Sequence, residues 1–219
     1  MLANVDMTST TGATFNGSLR HSQPVMKTRA QKKRLLHVTT VPMTLRFLRG
    51  QVGFMKSKGY EVVIASSPGD ELEAFGEEEE VEVHAVPMER RIAPVSDLVS
   101  LARLWKELRE IRPEIVHSHT PKGGLLGMCA ATLAGVPVRC YHLRGLPMMS
   151  TVGPKRTLLR WTERLSCFLA DEVFCVSSSL RDVALAERLC APAKIHVLAG
   201  GSGNGVDSAV LYNPITHPS

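Results

Sequence analysis

The sequence predicts an α/β fold, a doubly wound parallel sheet with helices on both faces. Three observations carry this. From Leu35 to about Ala199, short apolar runs of strand length alternate with longer stretches of helical spacing, the pattern that builds parallel sheets. Most of the runs are continuously apolar, as strands covered on both sides are. The stretch from Glu114 to Pro147 shows one complete strand–helix–strand unit with breakers at its junctions. Ligands of such sheets bind beyond the carboxyl ends of the strands, so the residues at the strand exits are the first candidates for function.

In chain order, residues 1–25 are rich in Ser, Thr, Gly and Asn without periodicity and are expected to be disordered. Met26 is a reasonable alternative first residue, and Lys32-Lys33-Arg34 reads as a solvated flank, so 1–34 is taken as a basic extension. Leu35 to Val41 is the first strand, Pro42 to Phe47 its exit loop, and a helix of about three turns runs to Lys58, capped by Gly59. Glu61 to Ser66 is the second strand. Pro68-Gly69-Asp70 turns the chain, and Glu77 to Glu80 reads as a solvated charged loop. Val81 to Val86 is the third strand. Ser96 suits an N-cap with Asp97 in the first turn, and Leu98, Leu101, Leu104, Leu108 and Ile111 place one helix face on the sheet. Glu114 to Val116 is the next strand. A helix then opens at Lys122-Gly123-Gly124 and ends at Ala134, stopped by Gly135 and Pro137, and Val138 to Tyr141 is again a strand. Pro154 starts a helix to Leu169 with Leu158, Thr162, Leu165 and Leu169 inward. Glu172 to Val176, Ser179 to Leu189 and Lys194 to Ala199 complete the series as strand, helix and strand, and Gly200 to Asp207 is a turn-rich exit.

Composition narrows the function. The chain of 219 residues is 44% hydrophobic with a formal charge of +5. That charge sits in residues 1–34, where Arg20, Lys27, Arg29, Lys32, Lys33 and Arg34 face only Asp6. The rest holds twenty bases and twenty acids, so a nucleic-acid-binding domain is not expected. Five cysteines, none in a Cys-x-x-Cys pair, read as small buried residues in a reducing cytosol. No apolar stretch reaches the length of a membrane span, and the N-terminus lacks the apolar core of a signal peptide.

The exits collect Arg46, Glu89, Arg90, Arg91, His117, His119, Lys122, His142 and Arg144. Cations and imidazoles gathered on one edge, with the amino end of the Lys122 helix beside them, suit a diphosphate or another anion; the alternative is polar loops merely solvated. His117 and His119 point the same way on an extended segment, but no third ligand has suitable spacing, so no metal is expected. His142 either donates to a sugar hydroxyl or shuttles a proton, or is a structural histidine. Arg156, Arg160 and Arg164 recur four apart, which is either a solvated face or a contact for anionic lipid headgroups.

The segments LLHVTTVPMTLRFLRGQ, HSHTPKGGLLGMCAATLAGVP, YHLRGLP, LSCFLADEVFCVSSSLRD and KIHVLAGGSGNGVD, in this order, resemble the N-terminal half of a family 4 glycosyltransferase of the GT-B fold. The sub-group resembled builds exopolysaccharide, O-antigen or glycan chains on polyprenyl-diphosphate carriers. The resemblance implies one of two Rossmann-like domains facing across a cleft, an acceptor-binding one over 35–207. It implies transfer from a nucleotide sugar with retention of anomeric configuration, without metal or cofactor. It places His142 beside acceptor and reacting sugar and has the His119 loop and the first exit loop, Pro42 to Phe47, line the cleft; together with the cations at the strand exits this makes Arg46, Arg90, His119, Lys122 and Arg144 the acceptor-side candidates. Relatives carry a Gly-Gly pair in the first exit loop where this chain has Pro-Met-Thr-Leu-Arg-Phe, and Arg46 is the substitute expected there. GGSGNGVD resembles the junction to the second domain, so 208–219 reads as the start of a linker and the donor domain is expected to be missing. Expected partners are a glycan or lipid-linked acceptor, a separate donor-domain polypeptide and an anionic membrane, at a cytoplasmic location peripheral to the inner face of the plasma membrane. The other readings are a truncated enzyme inactive alone, the acceptor subunit of a split enzyme, and a non-catalytic glycan- or anion-binding domain. A sugar-nucleotide epimerase lacks support, since its acid-rich catalytic set is not apparent.

Overall fold

The computed structural model describes residues 32–201. Strands β1 (Arg34–Val38), β2 (Glu61–Ser66), β3 (Glu82–Ala85), β4 (Ile115–His119), β5 (Val138–Leu143), β6 (Glu172–Cys175) and β7 (Ile195–Val197) form one sheet. Its order is β3-β2-β1-β4-β5-β6-β7, with every neighbouring pair parallel. The helices between them are α1 (Gln51–Ser57), α2 (Asp70–Glu79), α3 (Pro94–Ile111), α4 (Pro121–Ala134), α5 (Gly153–Leu169) and α6 (Ser178–Ala186). The chain winds outward from β1 to β3, returns through α3, and winds the other way from β4 to β7. The doubly wound class is therefore as expected, and β1 and β4 flank its switch point.

Two apolar clusters show how the faces are covered. Leu45, Leu48, Val52, Leu72 and Phe75, from the segment after β1 and from α1 and α2, pack on Val62 and Ile64 of β2. The alternate residues Leu36, Val38, Val63, Ala65, Val116, Tyr141 and Val173 face the larger cluster with Leu104 and Leu108 of α3, Met128 of α4, Cys167 of α5 and Ala184 of α6. Period-two alternation sends neighbouring residues to opposite faces. Close approach of α4 to the sheet is built on glycine. A Cβ on Gly124 would lie 2.2 Å from the Tyr141 ring, and one on Gly127 would lie 2.0 Å from Ser118 Oγ. These glycines let the amino end of α4 sit directly against the exits of β4 and β5.

Several elements differ from the sequence reading. The turn and charged loop expected over Pro68 to Glu80 contain α2. Asp70, Glu71 and Glu73 in its first turn favour the positive end of its dipole, and Leu72, Phe75 and Gly76 face inward. The exit loop after β1 is a 3-10 turn over Pro42–Leu48, followed by only two turns of α1. Helix α3 starts at Pro94, where Asp97 Oδ2 accepts from the Ala93 N–H (3.3 Å), and Leu98 is exposed rather than packed on the sheet. On α5 Leu169 packs on the core as expected, together with Leu159 and the fully buried Glu163, Ser166 and Cys167, whereas Leu158 and Leu165 are exposed. Arg34 belongs to β1, where it bonds Glu61, Glu114 and the Ile111 carbonyl. Residues 1–31 and 202–219, with the linker expectation and most of GGSGNGVD, lie outside the described residues.

Candidate functional site

Register builds the site. His37 of β1 pairs with Ile64 on one side and His117 on the other, and His119 pairs with His142, which pairs with Phe174. Paired residues of adjacent parallel strands share a face, so four imidazoles project on the side where α1 and α2 cover only the β1–β3 half. All four are buried. Ring centroids of His117 and His119 are 4.2 Å apart, those of His37 lie 5.2 Å from each, and His117 stacks on His142 at 5.5 Å with planes 7° apart.

Burial keeps this cluster neutral. His37 and His142 are pushed down to about 3, chiefly by desolvation and then by the charge of Arg144. His117 and His119 fall well below the ordinary imidazole range, first by burial and then by their neighbours. Arg144 Nε donates to His119 Nδ1 at 3.4 Å. That leaves His119 Nε2 as the protonated nitrogen, which donates to His37 Nδ1 at 2.9 Å. His37 Nε2, His117 Nε2 and His142 Nδ1 have no hydrogen-bond partner among the described residues. An unmet buried polar atom costs about 1–3 kcal/mol, so three of them in one cluster leave hydrogen-bonding capacity that the described residues do not use.

The expected site residues separate into two groups. His119, His142 and Arg144 converge. Arg46 joins them through Phe47, whose ring lies 5.2 Å from the guanidinium carbons of both Arg46 and Arg144. Lys122 does not: its Nζ bonds Asp97 Oδ1 at 2.7 Å and the Arg91 carbonyl, so it fastens α4 to the start of α3. Arg90 is exposed on the loop after β3. The amino end of α4 is partly occupied by its own caps, since the Gly123 N–H donates to Thr40 Oγ1 at 2.9 Å and Thr120 Oγ1 at 3.3 Å. Thr120 holds a left-handed φ of 67°, a strain of about 1–3 kcal/mol kept at the loop beside the histidines. Arg156 and Arg160 are also engaged, both with Glu187 at the end of α6, while Arg164 lies over the Trp161 ring at 5.1 Å.

His37 was missed in the sequence. Its signal was a lone polar residue inside the apolar run Leu35-Leu36-His37-Val38, which a buried strand tolerates only with a partner or a purpose. It also supplies the third imidazole that spacing alone did not offer: His37, His117 and His119 bring nitrogens within 4.8 Å of one another. Neutral imidazoles suit a metal ion. The Arg144 cation and the proton it directs onto His119 Nε2 oppose one. A hollow of about 410 Å³ lined by Leu108, Arg112, Pro113 and Pro137 lies at the opposite ends of the strands, ahead of β4 and β5, and contains none of these histidines.

Comparison with known proteins places this geometry in a lineage. The family described as glycosyl transferase 4-like domain matches residues 44–201. The chain is 36% identical over 176 residues to the capsular polysaccharide biosynthesis glycosyltransferase CapM of Staphylococcus aureus, a match covering 80% of this chain and 46% of that protein. It is 33% identical over 119 residues to an Escherichia coli UDP-Gal:alpha-D-GlcNAc-diphosphoundecaprenol alpha-1,3-galactosyltransferase, covering 54% of this chain and 30% of that one. The chain thus spans about half the length, or less, of these relatives. A crystal structure of a UDP-N-acetylglucosamine 2-epimerase superposes with a TM-score of 0.60 at 17% identity, covering 76% of this chain and 48% of that one, a likeness of fold alone. With the match running from the turn after β1 through β7, this chain belongs to the glycosyl transferase 4-like family.

Proposed function

We propose that this domain is the acceptor side of a retaining glycosyltransferase of cell-surface polysaccharide synthesis. It works with a nucleotide-sugar donor at the inner face of the plasma membrane and without a cofactor. One observation carries the reading: neutral His142, two further histidines with unmet nitrogens and the Arg144 cation meet on one face toward the carboxyl ends of β1, β4 and β5. A site built this way binds a polar ligand with an anionic group. The galactosyltransferase relative is named for a diphosphoundecaprenol-linked sugar, and an acceptor of that class offers both hydroxyls and a diphosphate.

The chemistry follows from charge. With its pKa near 3, His142 is too weak a base to take a proton fully at neutral pH. It acts as a hydrogen-bond partner that orients the attacking or reacting sugar hydroxyl. Arg144, pushed down to about 10 by burial, stays cationic at neutral pH. It stabilises phosphate charge in a partly desolvated setting where such a contact is strong. Arg46, across Phe47, is the second cation within reach of that charge. The donor wall of the cleft is contributed by a second Rossmann-like unit, in the same polypeptide or as a separate subunit.

The test is sugar transfer by this domain together with its donor-side unit. His142→Ala should lower turnover about a hundredfold or more while circular dichroism and melting temperature stay unchanged. Turnover equal to wild type would remove His142 from the reaction, and with it this reading.

A further inference from the structure

We infer that Thr40 is a positioning residue of the candidate site, whose hydroxyl clasps the exit of β1 to the start of α4. The clasp continues the sheet where its backbone ladder stops. The β1–β4 register ends at Val38 opposite Ser118, and two residues further Thr40 Oγ1 meets Thr120 Oγ1 at 2.7 Å. Beyond this point the chains part, one into the turn that carries Arg46 and Phe47, the other into α4. The Gly123 N–H donates to both hydroxyl oxygens, at 2.9 Å to Thr40 and 3.3 Å to Thr120. The fit is close: a Cβ on Gly123 would lie 2.8 Å from Thr120 Oγ1 and 3.2 Å from the Thr40 nitrogen. The carbonyl of Thr40 is held as well, by the Ser67 hydroxyl at 2.7 Å, and Ser67 accepts the Met88 N–H at 3.0 Å. Through Ser67, Thr40 thus joins the exits of β1, β2, β3 and β4.

Backbone strain marks what the clasp holds. Thr120 has φ 67° and ψ 152°, a region populated almost only by glycine and costly for a β-branched residue. A glycine would remove the strain, but also the hydroxyl that meets Thr40. Thr40 is 4% exposed whereas Thr120 is half-buried, so the Thr40 proton, kept from water, goes to Thr120 Oγ1. Without the Thr40 hydroxyl, Gly123 N–H would keep only its longer contact, and Thr120 would lose the bond that offsets its strain. The residues so held frame the site. His37 stands three residues before Thr40 and His119 directly before Thr120, their rings bonded at 2.9 Å. Arg46 stands six residues after Thr40. Fixing Thr40 against Thr120 therefore fixes how far the Arg46–Phe47 turn lies from the histidines of β4. The inference rests on the proposed acceptor role of this rim, for which the clasp supplies preorganisation.

The experiment is titration of the full chain with inorganic pyrophosphate, read at the histidine ring nitrogens by nuclear magnetic resonance. Wild type should show saturable shifts at His119 and His142. Thr40→Val keeps size and branching but loses the hydroxyl, and should weaken that binding about tenfold. Thr40→Ser should restore it to within about twofold of wild type. Hydrogen exchange at the Gly123 amide should quicken about tenfold or more in Thr40→Val and stay slow in Thr40→Ser. Thr120→Gly is a second variant whose fold is not at risk, since glycine adopts that backbone freely. It should hold or raise the melting temperature and still weaken pyrophosphate binding as Thr40→Val does. Unchanged affinity in Thr40→Val and Thr120→Gly, even with faster exchange at Gly123, would overturn the inference, because the clasp would then serve the fold alone. So would a loss in Thr40→Ser equal to that in Thr40→Val. A wild type whose rings do not respond would contradict the acceptor reading and this inference together, a result distinct from a wild type that binds and variants that bind as well.

Discussion

His37, His117, His119 and His142 are buried as neutral rings, and that neutrality is a stability term. In the unfolded chain each titrates near 6.5, whereas in the fold His37 and His142 titrate near 3. The stabilisation is complete above about pH 6.5 and is lost as pH falls through the window toward 3. Acidification from pH 7.5 to 5 should therefore lower the unfolding free energy by on the order of a few kcal/mol, measured by urea titration. The comparison belongs in a Glu163→Gln chain, so that the opposite titration of that carboxyl does not mask it. His37→Gln should flatten the slope. A stability independent of pH over that range would mean that the rings are solvated rather than enclosed. Of the site, His119, His142 and Arg144 were legible because they sit next to breakers at strand exits. His37 was not, because its role depends on which strand lies beside β1, and pairing across 80 residues leaves no local trace.

Among the elements, α5 and α2 show where periodicity misleads. The apolar residues of α5 repeat with helical spacing, and such a stripe ordinarily turns inward. Here Glu163 takes the inner position because Tyr141 of β5 gives its carboxyl a bond, at 2.8 Å. In α2, four consecutive acids hid a helix whose inward side is only Leu72, Phe75 and Gly76. The inner position of Glu163 has a cost that pH reveals. Burial pushes its carboxyl up to about 7, against the ordinary 4.5, with the Tyr141 bond acting weakly the other way. Between these values the folded chain holds a proton that the unfolded chain has released. Stability from this group is full below about 4.5 and is lost as pH rises through 7, by roughly 3 kcal/mol. Glu163→Gln should thus raise the melting temperature at pH 8 and leave it nearly unchanged at pH 4.5. A melting temperature at pH 8 equal to or below wild type would show that the carboxylate is stabilising as an ion.

At the scale of the whole molecule, the succession of strands and crossovers along the chain was legible almost throughout, since each buried strand announces itself by an apolar run and each crossover by its breakers, whereas the order of the strands across the sheet was not. Nor was the distribution of cations. Lys122, Arg156 and Arg160 stand at suitable positions in the sequence but are spent on Asp97 and Glu187, partners that only the fold brings near. Arg144 and four neutral imidazoles meet at the switch point of the sheet, with Arg46 across Phe47, and this rim carries the proposed acceptor site. Its direct test is a nuclear magnetic resonance titration of the histidine ring nitrogens with a short-chain polyprenyl-diphosphate sugar. The account predicts saturable shifts at His142 and His119, weakened about tenfold by Arg144→Gln, with His84 and His196 unmoved. Shifts confined to His84 or His196, or saturable binding that leaves His142 and His119 unchanged, would contradict it.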